Sequence, residues 1–184
     1  MDEMTKNAAL LAAIATFLAA IIALLSFIYT SYRQHKLEKS SMYQQLELAS
    51  IDLFRWEIEH VKTILKMREK SKELSDEDKE IYGSRCFQTM NLFELCISSA
   101  NAGTLPNKVF GSWLTWMYKF ANEPGFAEMW LEEKTNYTPE CREILDMAIK
   151  YPEDENKFTK DICDLKKYHL QFAEWKKDLA EKNA

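Results

Sequence analysis

Residues 8–29 read AALLAAIATFLAAIIALLSFIY, and no charged residue occurs between Asn7 and Tyr32. A run this long and apolar is typical of a helix that crosses a membrane. At 1.5 Å per residue it would extend over roughly 39 Å, more than the roughly 30 Å of a hydrocarbon core. We therefore predict a tail over residues 1–7, a transmembrane helix over residues 8–32 and a separate domain over residues 33–184.

The charges that flank this run predict its orientation. Lys6 precedes it, whereas Arg33, Lys36 and Lys39 follow it within one short segment. Lys and Arg accumulate on the cytoplasmic side of single-span proteins, so we expect the C-terminal domain in the cytoplasm. A cleaved signal peptide has a basic start and a shorter apolar run, of about 7–15 residues, so the pattern favours an uncleaved anchor.

Small residues follow one face of this predicted helix, three or four positions apart, at Ala8, Ala12, Ala15, Ala19, Ala23 and Ser26. In lipid, small side chains let helices approach closely, and this packing drives association. The face predicts a homo-oligomer, for which a ring around an apolar passage is one possible form. The alternative is that alanine is simply common in membrane anchors. At the cytoplasmic end, the basic side chains would surround the mouth of that ring or contact anionic lipid headgroups; they are Arg33, Lys36 and Lys39.

Composition restricts the rest of the chain to a few classes. About 150 residues follow the anchor, enough for one domain with a core of its own. Only 4 Gly and 4 Pro occur in 184 residues, which favours helices over a sandwich or barrel. The net charge of −5 gives no reason to expect DNA binding. We expect no metal and no cofactor, because the cysteines lack zinc-ligand spacing and no phosphate-binding glycine loop occurs. We interpret the thiols as free and buried; they are Cys86, Cys96, Cys141 and Cys163.

Periodic apolar residues and helix-ending signals predict an all-α fold, an antiparallel bundle of about five or six helices. The first helix should continue out of the membrane through Tyr43–Lys66, with no Gly or Pro to interrupt it and with a possible bend near Ser40. Helix starts are predicted at a cap formed by Ser75 with Asp78 and at Thr138 before Pro139. Helix ends or turns are predicted at Gly103, at residues 122–125 and at Pro152. The last helix should run from about Glu153 to Glu181.

Two features suggest chemistry, and each has a structural alternative. Arg55 and His60 form an R-x4-H pattern, in which a histidine can transfer protons and an arginine can stabilise a charged phosphorane. Residues five apart in a helix are about 140° apart around its axis, so the alternative is that Arg55 pairs with Glu59 or with solvent and that His60 is a surface residue. A group of indoles could stack bases or ligands, or could simply belong to the core; its members are Trp113, Trp116 and Trp130.

The R-x4-H pattern is the signature of HEPN domains, small helical bundles of which many cut RNA. With its single anchor and helical domain, the chain resembles the small membrane-bound accessory proteins of type VI-B CRISPR systems. The resemblance implies a bacterial inner-membrane protein with a divergent HEPN-like domain that assembles as an oligomeric pore and enhances RNA-guided antiphage defence. Its implied partners are membrane lipids, other copies of the chain, and an RNA-guided nuclease or RNA signal. A membrane-tethered HEPN ribonuclease using Arg55 and His60, and a non-enzymatic scaffold, are the alternatives.

Overall fold

The computed structural model describes residues 3–69 and 74–165; every regular element among them is a helix, and none is a strand. A short 3-10 turn, Lys134–Asn136, precedes the helix that begins at Pro139. The chain divides into two compact units, Met1–Ser40 and Ser41–Ala184. The α-helices, in chain order, are α1 (Glu3–Glu59), α2 (Val61–Arg68), α3 (Asp76–Asn101), α4 (Asn107–Ala121), α5 (Phe126–Glu133), α6 (Pro139–Lys150) and α7 (Glu155–Asp164).

The first unit contains the N-terminal part of α1. All side chains from Leu11 to Glu38 are exposed, including every large apolar one. The hydroxyl of Thr16 donates a 2.9 Å hydrogen bond to the carbonyl of Ala12, within the same helix. Within the described residues, this helix is the one that is long and apolar enough to cross a membrane, judged by length and composition.

The second unit has an apolar core built around α3, which packs against α2, α4 and α6. Phe93 lies at its centre, fully buried, and packs edge-on against the rings of Trp116 and Phe120. α7 completes the core by packing Phe158 and Ile162 against α4 and α6. The C-terminal part of α1 contributes Leu46 and Leu53, which are also buried.

The predicted boundaries between helices are confirmed where local chemistry specifies them. Ser75 and Asp78 form a reciprocal capping box at the start of α3. α3 ends at Asn101, and Gly103 follows with φ of 70°, a conformation that glycine adopts without a Cβ penalty. α6 begins at Pro139.

The last predicted helix is confirmed only in part. α6 ends at Lys150, before Pro152, and α7 extends from Glu155 to Asp164. The remainder of the helix predicted to reach Glu181 lies outside the described residues.

The prediction of one unbroken helix through Tyr43–Lys66 is wrong at a single point. α1 ends at Glu59, and His60 leaves the helical conformation with φ of −109° and ψ of 19° before α2 begins. The break allows α2 to pack on α3, where the hydroxyl of Thr63 and the ammonium of Lys66 both donate to the carboxylate of Asp78. Tertiary contacts therefore interrupt a segment whose sequence contains no helix breaker.

Candidate functional site

The predicted pair, Arg55 and His60, lies at the end of α1, and each side chain has its own local partner. Arg55 is 69% exposed and donates to Asp52 at 3.2 Å, not to the expected Glu59. The Nδ1 of His60 donates to the carbonyl of Trp56 at 2.9 Å, and its ring stacks on the Trp56 indole at a centroid distance of 4.2 Å. A catalytic role for the pair stays a prediction.

The predicted membrane positions all lie on α1. From Ala12 onward the small residues are exposed, so the small face is accessible to other helices; these residues are Ala12, Ala15, Ala19, Ala23 and Ser26. Only the backbone of Ala8 is described. Arg33 and Lys36 are exposed, and Lys39 is partly buried.

The three tryptophans belong to the core and do not form one stacking surface. Trp113 and Trp116 are in contact with each other, with ring centroids 5.1 Å apart. Trp130 is fully buried and packs against the rings of Phe126 and Tyr137, and its indole N–H donates to Asp146 at 2.7 Å. The structural alternative for this group is therefore confirmed.

The cysteines with described side chains are free, buried thiols. Burial raises the pKa of both Cys86 and Cys141 to about 12, and it raises that of Cys96 as well. Thiols with such pKa values are protonated at neutral pH and are poor nucleophiles. Across residues 3–69 and 74–165, no group of His, Cys, Asp and Glu side chains is arranged to hold a metal ion.

The most unusual polar arrangement is a buried ion-pair network that sequence analysis missed. The Arg85 side chain, on α3, is only 2% exposed. Its Nε donates to Glu57 of α1 at 2.5 Å, and its two terminal nitrogens donate to Glu123, in the turn between α4 and α5. Glu123 also accepts a 2.8 Å hydrogen bond from Arg68 at the end of α2. We call these four residues, Glu57, Arg68, Arg85 and Glu123, the ion-pair network.

Electrostatics keep Arg85 charged in this environment. Burial by itself lowers the pKa of the guanidinium, but the hydrogen bonds and negative charges of Glu123 and Glu57 outweigh it, and the pKa is raised above its ordinary value. The guanidinium also lies over the Phe120 ring, 4.6 Å from its centroid. One feature of the sequence indicates this residue: Arg85 stands among Tyr82, Cys86 and Thr89 on the buried face of α3.

A second polar cluster joins α2 to the start of α3. The carboxylate of Asp78 accepts hydrogen bonds from Lys66 at 2.9 Å and Thr63 at 2.8 Å, and from both the backbone N–H and the hydroxyl of Ser75. The bonds from Lys66 and Thr63 are the main reason that the pKa of Asp78 lies well below its usual range. Like the ion-pair network, this cluster is structural: it fixes one helix against another.

In the ion-pair network and in the cluster around Asp78, the charged side chains are hydrogen-bonded to one another. Among residues 3–69 and 74–165, the exterior of α1 carries an extensive exposed apolar surface. No protein-family model matches the chain, and no curated protein or solved structure matches it either.

Proposed function

We propose that this protein is a single-span protein of the bacterial inner membrane that assembles with copies of itself, through α1, into a gated pore. In this proposal its helical domain is a divergent HEPN-like bundle on the cytoplasmic side. Opening of the pore depolarises the membrane and so enhances RNA-guided antiphage defence. The observation that carries the proposal is the fully exposed apolar surface of α1 from Leu11 to Ile28.

An exposed apolar surface of this extent requires a cover. Soluble monomers rarely expose contiguous apolar patches above a few hundred Å². On α1 the apolar side chains are exposed all around the helix, so a partner on one side would leave the others in water. A lipid bilayer covers every side of the helix at once.

The distribution of side-chain size around α1 supports self-association within that bilayer. Exposed small residues occupy one side of the helix, whereas Ile14, Phe17 and Ile21 lie on the opposite side. Close packing through the small side would leave the bulky side toward lipid or toward a central passage. The absence of charged residues between Asn7 and Tyr32 makes such a passage apolar, so it would conduct only when wetted.

Unpaired apolar residues on the part of α1 beyond Ser40 also favour assembly. Leu48, Ile51 and Ile58 are exposed at helical spacing, on the side opposite the buried Leu46 and Leu53. Aliphatic side chains in water cost about 1.5–3 kcal/mol each relative to full burial. A neighbouring copy held parallel by the membrane would cover them.

Triple replacement of Ala12, Ala15 and Ala19 by leucine tests the proposal on the full-length protein. Three larger side chains would prevent close helix approach, so we expect the oligomer to dissociate. The mass of the detergent-solubilised complex measures assembly, and a potential-sensitive dye in vesicles measures conductance. We expect both a closed ring and conductance in the unaltered protein and neither in the variant.

The matched control replaces Ile14, Phe17 and Ile21, on the bulky side, by leucine. These substitutions keep the segment apolar without changing the small face, so assembly and conductance should persist. A monomer or dimer without conductance in the unaltered protein would refute the pore and leave the scaffold. An oligomer of unchanged mass in the triple alanine variant would refute association through the small face.

A further inference from the structure

The C-terminal part of α1 packs against α3 and α4 through a few side chains. Leu46 and Leu53 insert into the core, and the ring of Phe54 lies 5.4 Å from that of Trp116. Beside this ridge, a surface groove of about 530 Å³ separates α1 from α3; its lining includes Ala49, Trp56, Gln88, Leu92 and Leu95. The ion pair between Glu57 and Arg85 adds a buried polar contact between α1 and α3 to this incomplete apolar one.

The guanidinium of Arg85 is oriented by a residue that does not belong to α1. Both terminal nitrogens of Arg85 point to Glu123, and this two-point contact fixes the plane of the guanidinium. In that orientation the remaining donor, Nε, faces Glu57. Loss of Glu123 would therefore remove the constraint that aims Arg85 at α1, and it would leave a buried guanidinium only partly compensated.

Glu123 is in turn held by the adjacent elements of the bundle. Arg68, at the end of α2, donates to the same carboxylate, and Tyr82 anchors the turn by donating to the carbonyl of Pro124 at 2.8 Å. Gly125 has φ of 83°, and a Cβ at this position would lie 3.2 Å from the Cε of Met67 in α2. The turn is thus tightly seated on α2, so a displacement of either one would move Glu123.

We infer that the ion-pair network is a clamp: Glu123 positions Arg85, Arg85 holds Glu57, and opening of the clamp frees the segment 43–59 of α1 from α3. A buried ion pair suits such a role. It contributes little net stability over an apolar replacement, but removal of one partner is costly because the other charge stays buried without compensation. As a control point for gating, the clamp rests on the proposed function. As a coupling within the bundle, it stands independently.

Hydrogen exchange of the full-length protein in detergent micelles tests the clamp. Glu123→Gln removes a carboxylate that does not touch α1, yet we expect it to speed amide exchange across residues 43–59 by about tenfold or more. Glu57→Gln, which breaks the pair directly, should have a similar effect. Peptides from α6, around Ile144, report whether the core remains folded, and their exchange should not change.

Two controls carry the same carboxylate-to-amide change outside the network. Glu128→Gln lies five residues beyond Glu123 on an exposed position, and Asp52→Asn removes the exposed pair with Arg55 on α1 itself. Neither should alter exchange in residues 43–59. If Glu57→Gln speeds this exchange and Glu123→Gln does not, the two ion pairs act separately and the clamp is refuted.

If Glu123→Gln unfolds the whole bundle, Arg68→Gln serves as the test of the clamp instead. It removes only the outer, half-exposed partner of Glu123. A severalfold increase of exchange in residues 43–59 supports the clamp, and unchanged exchange there overturns it. Exchange reports the clamp, whereas vesicle conductance reports the proposed pore, so the two hypotheses can fail independently.

Discussion

The two parts of α1 differ in the exposure of their apolar side chains. From Leu11 to Ile28 the apolar side chains are exposed on every side of the helix. Beyond Ser40, the helix buries Leu46 and Leu53 on one side and directs Glu57 to a buried arginine. A single helix thus passes from a segment suited to a uniformly apolar solvent to one suited to a protein core on one side and water on the other.

The two parts of the chain also differ in where their polar side chains find hydrogen-bond partners. In the first, the hydroxyl of Thr16 donates to the carbonyl of Ala12 in its own helix. In the bundle, Arg85 and Asp78 are satisfied by partners on other helices. Polar contacts in the bundle therefore join different helices, whereas the hydrogen bond of Thr16 stays within one helix.

Truncation of one phenylalanine in each region should give the largest contrast. Phe93→Ala removes a ring that is fully buried between Trp116 and Phe120, and we expect a loss of about 3–5 kcal/mol in the free energy of unfolding of the bundle. Phe17→Ala removes a ring that is 66% exposed and should leave that free energy unchanged.

Tryptophan fluorescence during denaturation in detergent reports the bundle selectively, because all five tryptophans follow Arg55 in the sequence. Equal destabilisation by the two truncations would mean that residues around Phe17 share the core of the bundle. The contrast between the two parts of α1 would then be wrong.

Sequence alone specified those features that depend on neighbouring residues. The cap at Ser75, the glycine after α3 and the proline that starts α6 act within one helical turn, and each boundary appears where the pattern predicts it. The apolar run of α1 is equally local, since length and hydropathy define it.

Features that depend on distant partners could not be predicted in this way. The end of α1 at Glu59 is linked to contacts between α2 and Asp78, which lies 15 residues beyond Thr63. Arg85 is separated from its two carboxylate partners, Glu57 and Glu123, by 28 and 38 residues. Periodicity also treats Ile58 and Leu53 alike, although the structure exposes one and buries the other.

A charge placed in each part of α1 should sharpen the contrast. Leu18→Arg puts a guanidinium near the middle of the apolar run, and we expect the apparent free energy of membrane insertion of that segment to become less favourable by about 3–4 kcal/mol, because a favourable leucine is lost and an unfavourable arginine is gained. Leu48→Arg places the same group on an exposed position beyond the run, and insertion should not change. A translocon insertion assay on both variants measures this, and equal effects would contradict the assigned boundary.

The smallest expected effect is the pH dependence of the stability that the Asp78 carboxylate contributes to the bundle. The direction of this dependence follows from the lowered pKa of Asp78. Hydrogen bonds from Lys66 and Thr63 lower the pKa of Asp78 in the folded protein below the value of about 3.9 expected when unfolded. A lowered pKa stabilises the fold above pH 4, and this contribution is lost as the pH falls further and the carboxylate is protonated. Asp78→Asn should therefore lower the urea midpoint at pH 7 and at pH 5.5 by the same amount, and the difference from the unaltered protein should shrink between pH 4 and pH 3.

Asp76→Asn, at a side chain that is 95% exposed, should leave the midpoint nearly unchanged at every pH. A difference for Asp78→Asn that is as large at pH 3 as at pH 7 would show that its carboxylate stabilises α2 against α3 through shape and not through charge.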